Sequence, residues 1–553
     1  MRYWRFHLVL FLLLCFGAIL GGRLAYLQIV NQGLYKALAQ GQQNVSALTR
    51  GARGAVFLQD KNGNLYTLAS NQKVPSAFVS PAELKNPEDT ASKLAQILQL
   101  EEEFILSKFQ NKDSFFETLK KRISETEVQQ IQDLKLAGAG VRQEQMRSYP
   151  QASLAAHVIG FTNQDGEGQY GIEGYYDSKL AGKEGAGAGA RNPANYLLAV
   201  FASTSQNGED IVLTLDYNIQ SVAEQLLEKA EANLDIEAGT IIVVDPVSGK
   251  ILALASTPSF DPNSYSTQID LGVFQNPAIQ KIYEPGSIFK AFTMAAALNE
   301  GTITPDTTYT DKGFVQIGAR KITNYDHRVW GLRTMTEVLE YSINTGAVFA
   351  AQQLGKEKFL EYIEKFGFFD PTNIDLAGEI FSRNAEFKKG YEINFATASF
   401  GQGIEMTPMQ IVKAFSAIAN NGQMTQPYIV ERDEGEKKQE QVISPKTATE
   451  VTEMLTNVVQ NGYAKSAQIP GYYVAGKTGT AQISWSALGV AKSGYSDKTV
   501  QSFVGYAPAF DPKFLILVKL DNPATKTAEY SAVPIFHDLA KYIIDYYQIP
   551  PDY

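Results

Sequence analysis

The chain has 553 residues, of which 44% are hydrophobic, 11% aromatic and 20% charged. This composition is typical of a folded protein with several domains, and it excludes a disordered chain, a collagen-like repeat and a membrane protein with many spans. The 49 Lys and Arg against 59 Asp and Glu give a net charge of −10, which argues against nucleic acid as a partner. One cysteine and four widely separated histidines argue against intramolecular disulfides and against a metal site.

An apolar run stands near the start of the chain. Leu8–Gly22 is fifteen residues without a charge, and the run continues with two polar interruptions as far as residue 30. About 20 apolar residues cross a bilayer. Arg2 and Arg5 precede the run, which favours a cytoplasmic N-terminus and an exported remainder. We therefore expect a cytoplasmic tail at 1–6 and a single transmembrane helix at 7–30.

Two other interpretations of this run involve processing. A cleaved signal peptide needs a site of small residues, which Ala18–Gly22 supplies only loosely. A lipoprotein would use Cys15, but Leu14 stands where such signals resemble Gly, Ala or Ser. The apolar continuation to Val30 favours an uncleaved anchor.

The segments after the anchor predict a hairpin and a group of charged helices. The turn-forming residues 60–63 separate two strand-like runs. From Pro81 to Leu136 the pattern is helical and rich in charge, which is typical of solvated helix faces. Residues 160–209 are rich in glycine and predict loops and turns. The composition changes at the end of that stretch, so we expect one domain at 31–208 and another at 209–553.

The second domain begins with alternating strand and helix patterns. Residues 211–215 predict a strand and residues 218–233 a helix. Two buried strands follow at 239–246 and 250–255, joined by the turn Pro246–Gly249. The remainder mixes helices and strands, so the fold class is mixed α/β.

The most informative local sequence is Tyr283–Lys290, YEPGSIFK, which leads into an apolar helix ending at Gly301. Ser287 and Lys290 are three residues apart, so they lie on one helix face, one turn apart. A serine hydroxyl attacks only when a base takes its proton, and a buried lysine can act as that base because desolvation lowers its pKa. Ser287 also stands at the start of the helix, where the helix dipole favours developing negative charge.

Ser-x-x-Lys and two further short patterns, Ser-x-Asn and Lys-Thr/Ser-Gly, each occur more than once in the chain. The predicted elements around each copy indicate which one belongs to a site. Ser-x-x-Lys also occurs at Ser70–Lys73, which follows a predicted strand and opens no apolar helix. Of three Ser-x-Asn copies, only Ser342–Asn344 follows an amphipathic helix, unlike those beginning at Ser205 and Ser382. Lys477–Gly479 ends a strand-like run, whereas the similar Lys492–Gly494 stands in a predicted loop.

These three patterns, in this order, resemble the Ser-x-x-Lys, Ser-x-Asn and Lys-Thr-Gly motifs of serine β-lactamases and penicillin-binding proteins. Further stretches are similar to class B penicillin-binding proteins: Arg50–Gly63, Arg147–Pro150 with His157, Gly171–Glu173, Leu213–Asp216 with Gln220, Tyr283–Lys290, Phe400–Ile404, Thr407–Gln410 and Ser502–Pro508. The chain is identified as a member of that class. The resemblance implies a single N-terminal transmembrane helix, a pedestal domain of the dimerisation type, and a penicillin-binding transpeptidase domain whose antiparallel sheet is flanked by helices.

The resemblance also implies a serine D,D-transpeptidase that cross-links peptidoglycan stem peptides and is acylated by β-lactams. Ser287 would attack the D-Ala-D-Ala carbonyl, and Lys290 would accept its proton. Ser342 would relay protons to the leaving group, and Asn344 would hold the substrate or Lys290.

The third motif is implied to bind the substrate. Lys477 would attract the terminal carboxylate of the peptide or of its β-lactam mimic. Thr478 and Gly479 would belong to a strand edge that pairs with the peptide backbone. The oxyanion hole would consist of the backbone N–H groups of Ser287 and Thr480. No cofactor or metal is implied.

The resemblance leaves four other charged or imidazole side chains without a catalytic role, and three other functions open. His157 and His327 are expected to be structural or surface groups, and Arg147 and Glu173 domain-packing charges, because the mechanism does not need them. Alternatives are a serine β-lactamase or β-lactam sensor, a D,D-carboxypeptidase, and a catalytically silent scaffold of a wall-synthesis complex. The resemblance implies a bacterial plasma-membrane location with an extracytoplasmic catalytic domain, and a polytopic glycosyltransferase partner. It leaves roles in division and elongation open, and we favour division.

Overall fold

The computed structural model describes residues 49–432 and 438–553, without 113, 115, 186, 192–196 and 203–205, together with the single positions 4 and 16. The predicted tail and transmembrane helix at 1–30 lie outside the described residues, apart from those two positions. Within the described part, no helix combines the length and the apolar character needed to cross a membrane.

The described strands are numbered in chain order. They are β1 Thr49–Arg50, β2 Val56–Gln59, β3 Leu65–Val79, β4 Glu117–Lys120, β5 Ala139–Ser148, β6 Phe161–Thr162, β7 Gly168–Gln169, β8 Glu184–Gly185, β9 Gly187–Arg191, β10 Leu197–Ala202, β11 Ile211–Asp216, β12 Ala238–Val244, β13 Ile251–Thr257, β14 Thr308–Asp311, β15 Phe314–Ile317, β16 Arg320–Thr323, β17 Gly331–Thr334, β18 Gln423–Thr425, β19 Gln439–Gln441, β20 Ala475–Ser484, β21 Tyr495–Ala507 and β22 Phe514–Asp521.

The described α-helices are numbered in the same way. They are α1 Pro87–Leu98, α2 Glu102–Lys108, α3 Glu125–Leu134, α4 Ala156–Ile159, α5 Gly171–Tyr175, α6 Asp177–Leu180, α7 Tyr217–Leu234, α8 Pro277–Gln280, α9 Lys290–Asn299, α10 Met335–Glu340, α11 Asn344–Leu354, α12 Lys356–Lys365, α13 Glu392–Ala398, α14 Pro408–Ala419, α15 Pro445–Gln460 and α16 Ala532–Tyr547. Short 3₁₀ turns connect several of them, including Gly286–Phe289 and Ala528–Tyr530.

The chain divides into two compact units, residues 1–54 with 179–209, and residues 55–178 with 210–553. In the first unit, β1 pairs antiparallel with β8, and β9 with β10. The prediction of loops and turns for 160–209 is therefore wrong in part, since the stretch also holds strands and the helices α5 and α6. Composition misses α5 because its formation depends on tertiary contacts: Ile172 and Glu173 are both fully buried.

In the second unit, the predicted hairpin is confirmed. β2 and β3 pair antiparallel around the turn at 60–63, and Val56 and Leu58 alternate towards the core. β4 and β5 pair with β3, and α1, α2 and α3 cover this sheet through a cluster of buried side chains. β11 extends the sheet on its other side by pairing parallel with β2. The strand that follows the predicted boundary at residue 208 thus belongs to the sheet that precedes it.

A second sheet has the antiparallel order β13-β12-β22-β21-β20. The predicted strands near 239–246 and 250–255 are confirmed as β12 and β13. Helices cover both faces, because Gly505 and Phe503 of β21 approach Phe536 of α16, while the next residue, Tyr506, bonds to Thr452 of α15 on the opposite face. This arrangement explains the near-continuous apolar strands, and it leaves β20 as an edge strand.

Buried polar contacts join Arg147 to Glu173 and connect His157 with the segment that precedes Ser287. Arg147 Nε lies 2.6 Å from Glu173 Oε1, and neither side chain is more than 4% exposed. His157 Nε2 lies 3.0 Å from the carbonyl oxygen of Val273, and burial lowers the pKa of His157 to about 4. The structural roles predicted for these three side chains agree with these contacts, and His327 is exposed.

Candidate active site

The turn that holds Ser287, here called the nucleophile turn, leads into a buried helix. Pro285 precedes a 3₁₀ turn at Gly286–Phe289, and α9 begins only at Lys290. The sequence predicts a regular helix from Ser287 instead, and the structure has one tighter turn first. Every residue of α9 except the last is buried, which explains why its sequence is apolar all round.

A glycine-rich loop, Phe400–Ile404, packs against this turn. The N–H group of Gly286 donates to the carbonyl oxygen of Gly401 at 3.1 Å. Gly401 has a φ of +80°, and a Cβ atom there would lie 2.1 Å from the oxygen of Gly286. Only glycine permits this approach, so the Phe400–Ile404 stretch singled out in the sequence fixes the position of the nucleophile turn.

Lys290 is the centre of the site. Its Nζ atom lies 3.0 Å from Ser287 Oγ, 3.1 Å from Ser342 Oγ and 2.8 Å from Asn344 Oδ1. It also donates to the backbone oxygen of Ser342 at 2.5 Å. The first two motifs, separated by more than fifty residues in the sequence, thus meet around one amine.

The second motif has a conformation that permits these contacts. Ser342 follows α10 with a φ of +52°, an uncommon value for a residue with a side chain. Its carbonyl and hydroxyl oxygens both face Lys290, and its hydroxyl also lies 3.1 Å from Lys477 Nζ. Ser342 Oγ therefore bridges the two lysines, and it joins the third motif to the first.

Both lysines are fully buried, and this determines their protonation. Burial lowers the pKa of Lys290 well below its usual range, and the neighbouring charge of Lys477 lowers it further. Burial alone lowers the pKa of Lys477 to about 7. Two ammonium groups so close to one hydroxyl oppose each other's charge, so Lys290 is the one suited to be neutral. A neutral amine 3.0 Å from Ser287 Oγ can accept its proton.

The third motif lies on β20, directly against the nucleophile turn. A Cβ atom at Gly479 would lie 2.9 Å from the carbonyl oxygen of Pro285, so only glycine allows the strand this close. Lys477 also donates to the backbone oxygen of Thr478 at 3.2 Å. Thr480 lies one residue further, and its Oγ1 accepts a bond from the N–H group of Ala528 at 3.3 Å.

Sequence reasoning missed the buried network that supports the second motif. Asp311 Oδ1 accepts a bond from Thr345 Oγ1, and its Oδ2 accepts bonds from Asn324 Nδ2 and the Trp330 N–H group, each at 2.8 Å. Asn344 Nδ2 donates to the carbonyl oxygen of Thr323 at 3.1 Å. The short strands β14–β17 thus fix the first turn of α11. No pattern in the sequence connects these residues, since they come together only through the fold.

The rejected motif copies lie elsewhere, where they are described. Ser70–Lys73 lies within β3, and Lys492–Gly494 lies in a loop before β21. Ser382 and Asn384 contact Glu405 instead of a lysine, and Ser205 is outside the described residues. Among the residues that the structure describes, no group of three His, Cys, Asp or Glu side chains could hold a metal ion.

Two protein-family comparisons match this architecture. The family described as penicillin binding protein transpeptidase domain matches residues 239–541, and the penicillin-binding protein dimerisation domain matches residues 49–213. The first match contains all three motifs and the whole catalytic sheet, and the second contains the sheet around β3.

Individual relatives cover nearly the whole chain. Stage V sporulation protein D of Bacillus subtilis is 34% identical over 91% of this chain and 79% of its own length. A probable peptidoglycan D,D-transpeptidase, PbpC of Pseudomonas aeruginosa, is 31% identical over 100% of this chain and 96% of its own. Crystal structures of penicillin-binding protein 3 from Mycobacterium tuberculosis, in complex with aztreonam and with ampicillin, have TM-scores of 0.69 and 0.68. Both are 26% identical to this chain; they cover 92% and 91% of it and 98% and 97% of their own chains. The chain belongs to the class B penicillin-binding proteins.

Proposed function

We propose that this protein is a peptidoglycan D,D-transpeptidase of cell-wall synthesis that acts through an acyl-enzyme on Ser287. The observation that carries the proposal is the set of contacts from Ser287 Oγ through Lys290 Nζ and Ser342 Oγ to Lys477 Nζ. The relative named a probable peptidoglycan D,D-transpeptidase supports the reaction class. The relative crystallised with aztreonam and with ampicillin supports acylation by β-lactams.

Acylation begins with proton transfer from Ser287 Oγ to the neutral Lys290 amine. The serine oxygen attacks the carbonyl carbon of the penultimate D-Ala, and the carbonyl π electrons move onto its oxygen. The backbone N–H groups of Ser287 and Thr480 stabilise this oxyanion. The close approach of β20 to the nucleophile turn supports that pairing of donors, because Gly286 lies against Thr480 and Ala481.

Collapse of the tetrahedral intermediate breaks the bond to the terminal D-Ala. The leaving nitrogen takes a proton that Ser342 Oγ relays from Lys290, and the position of this hydroxyl between the two lysines supports the relay. An amine from a second stem peptide then attacks the acyl-enzyme, and the proton that it loses returns to Ser287 Oγ. The products are a peptide cross-link and the free enzyme.

The donor peptide binds along the outer edge of β20. Its terminal carboxylate pairs with Lys477 and the hydroxyl of Thr478, and its backbone adds to the strand beside Gly479. The edge position of β20 in the sheet supports this mode. Asn344 Oδ1, at 2.8 Å from Lys290 Nζ, holds the amine in place for the proton transfers.

We further propose that residues 7–30 anchor the chain in the bacterial plasma membrane, with the pedestal at 31–208 and the catalytic domain at 209–553 outside the cytoplasm. The apolar run Leu8–Gly22 and the preceding arginines support the anchor. A polytopic glycosyltransferase that polymerises the glycan is the proposed partner of the anchor and pedestal. Protease added to intact spheroplasts is expected to degrade the catalytic domain, and protection of that domain would contradict the topology.

The test of the activity is covalent labelling of the full-length protein in detergent. Benzylpenicillin is expected to add one drug mass that persists for hours, and Ser287→Ala is expected to abolish the adduct. Ser70→Ala is the matched control, since it removes the serine of the other Ser-x-x-Lys copy, and it should label normally. An adduct lost within seconds would indicate a β-lactamase, and no adduct on folded protein would indicate a silent scaffold. D-Ala release without amine-dependent cross-linking would indicate a carboxypeptidase.

A further inference from the structure

Glu284, three residues before the nucleophile, has a fixed carboxylate that the mechanism above does not use. Its Oε1 accepts a bond from the N–H group of Gly403 at 3.1 Å. The hydroxyl of Tyr495 lies 3.1 Å from Oε1 and 3.0 Å from Oε2, and it can donate to either. Glu284 is half-buried, and Tyr495 is 38% exposed. The carboxylate is therefore held from two sides next to open surface.

These contacts locate Glu284 along the edge strand. Tyr495 pairs with Ser484, the last pair of β20 and β21. Lys477, near the other end of β20, contacts Ser342. The nucleophile turn lies between them, because Gly286 approaches Thr480 and Ala481. A positive and a negative group thus flank the reaction centre on opposite sides along β20.

The direction of the donor peptide follows from the proposed function, on which this inference rests. If its terminal carboxylate pairs with Lys477 and its reacting carbonyl lies at Thr480, the donor runs antiparallel to β20. The residue before the transferred D-Ala then lies about 3.4 Å further along the strand, towards Ser484. Glu284 stands two residues before Gly286, which lies against Thr480 and Ala481, and its carboxylate contacts Tyr495, which pairs with Ser484. A long side chain from that donor residue therefore extends towards the end of β20 where Glu284 is held.

We propose that Glu284 is a specificity-determining residue, which binds the cationic side chain of the donor residue immediately before the transferred D-Ala. The transpeptidase reaction itself indicates why the donor would carry a cationic side chain. The acceptor is an amine of a second stem peptide, and stem peptides of one wall share their composition. Every donor therefore carries such an amine as well, and an anion at this end of β20 complements it.

The carboxylate has the capacity for this ligand. An ionised carboxylate accepts about four hydrogen bonds, and Gly403 and Tyr495 supply one each. Burial raises the pKa of Glu284 to about 7, and the charge of Glu405 adds to the rise. A bound ammonium offsets both effects, because an adjacent positive charge favours the ionised form. Charge-assisted hydrogen bonds of this kind are among the stronger ones in proteins.

The test compares two synthetic donors on the full-length protein in detergent. One is Nα-acetyl-L-lysyl-D-Ala-D-Ala, and the other replaces lysine by norleucine, which has the same chain without the amine. The measurement is kcat/KM for D-Ala release, expressed as the ratio of lysine donor to norleucine donor. We expect a ratio of about ten for the wild type, the effect of one charge-assisted contact. Glu284→Gln is expected to bring the ratio to about one, whatever it does to the norleucine rate.

A matched control and a second variant keep the result interpretable. Glu300→Gln changes a carboxylate that likewise accepts a tyrosine hydroxyl bond, from Tyr362 at 2.8 Å, but at the far end of α9. It should keep the wild-type ratio. Tyr495→Phe leaves the carboxylate and removes one of its two donors, and it should lower the ratio by about threefold.

The inference is overturned by a wild-type ratio of one, or by an unchanged ratio in Glu284→Gln. An equal loss with both donors in that variant also overturns it, because Glu284 would then only position the nucleophile turn. The failure of the proposed function is a separate outcome. It would be seen as a wild-type protein that forms no penicillin adduct on Ser287 and releases no D-Ala from either donor.

Discussion

Ser342 Oγ lies 3.1 Å from each of two buried lysine amines, and this single oxygen determines how the charges of the site are coupled. In the proposed mechanism, protonation of Lys290 removes the base, and deprotonation of Lys477 removes the cation that receives a carboxylate. Because the pKa of Lys290 is well below its usual range and that of Lys477 is about 7, the productive pair is neutral Lys290 with charged Lys477. The two groups thus restrict activity from opposite sides of the pH scale.

The rate of acylation by benzylpenicillin should therefore have a bell-shaped pH dependence. The acid limb comes from Lys290, which gains a proton as the pH falls. The alkaline limb comes from Lys477, which loses its proton as the pH rises above about 7. Lys477→Arg should remove the alkaline limb, because a guanidinium stays charged in this range. The second-order rate constant measured from pH 5 to 10 checks this, and an unchanged alkaline limb in the variant would assign it to another group.

For individual residues, the sequence predicts which side chains come together in the site, but not the contacts that fix their conformations. Ser287, Lys290, Ser342, Asn344 and Lys477 follow from motif order and from the elements around each copy. The sequence does not predict the φ of +52° at Ser342, because that conformation depends on contacts with Lys290 and the end of α10. Their catalytic roles remain predictions that the labelling experiment addresses.

At the scale of elements, the glycine-rich loop at Phe400–Ile404 packs directly against the nucleophile turn. Gly401→Ala is expected to reduce acylation by about a hundredfold, because its Cβ would overlap the oxygen of Gly286 and displace Ser287. Gly390→Ala is the matched control, since Gly390 has a similar φ of +76° and open space around its Cβ position. It carries the same backbone strain, so it should lower stability slightly and leave the acylation rate near the wild-type value. Equal rates in the two variants would contradict this role of the loop.

The strands β14–β17 support the second motif through Asp311. Asp311→Ala leaves the N–H groups of Gly313 and Trp330 without an acceptor. It also removes one of the hydrogen bonds of Thr345 Oγ1 and one of those of Asn324 Nδ2. We expect a loss of about 3 kcal/mol in the free energy of unfolding, since each orphaned buried donor costs about 1 kcal/mol or more. Asp306→Ala, at an exposed position just before β14, should change it by less than about 0.5 kcal/mol. Urea denaturation measures both, and similar losses would contradict the role of the network.

Elements with strong periodicity were predicted well, and elements stabilised by contacts were not. The apolar run after Lys290 and the strand-like run at 211–215 correspond to α9 and β11. The 3₁₀ turn at Gly286–Phe289 was not predicted, because its geometry comes from packing against Gly401 and β20. The helix α5 was missed for the same reason, since its support comes from the burial of Ile172 and from the contact of Glu173 with Arg147 rather than from local propensity.

For the whole molecule, the decisive feature is that residues 55–178 and 210–553 form one compact unit. The parallel pairing of β11 with β2 and the contact of His157 with Val273 both connect its two parts. A change in the first part should therefore reach the catalytic sheet. The resemblance predicts a dimerisation-type domain followed by a transpeptidase domain, and the two family matches agree with that order. Backbone pairing between distant strands is not visible in composition.

Glu173→Ala should make this connection measurable. It removes the carboxylate that faces the buried Arg147, at an expected cost of about 3 kcal/mol in the free energy of unfolding. Two of the three tryptophans, Trp330 and Trp485, lie in the part at 210–553, so their fluorescence reports on the catalytic side. We expect the urea concentration at the midpoint of the fluorescence transition to fall in Glu173→Ala. In the exposed control Glu167→Ala it should remain at the wild-type value. An unchanged midpoint would show that the two parts unfold independently.

The edge strand β20 has a consequence for inhibitor tolerance. In the proposed binding mode, strand addition recognises the main chain, and alternate side chains of an added strand point to opposite sides, so that only one set faces the turn that holds Ser287. The enzyme therefore does not contact about half of the substituents on an extended ligand. Compounds that keep a carboxylate, a reactive carbonyl and one backbone-like amide should retain binding despite large changes at the outward positions. Resistance would then have to arise at the few positions that touch the ligand's inward side, or through altered geometry of β20 itself.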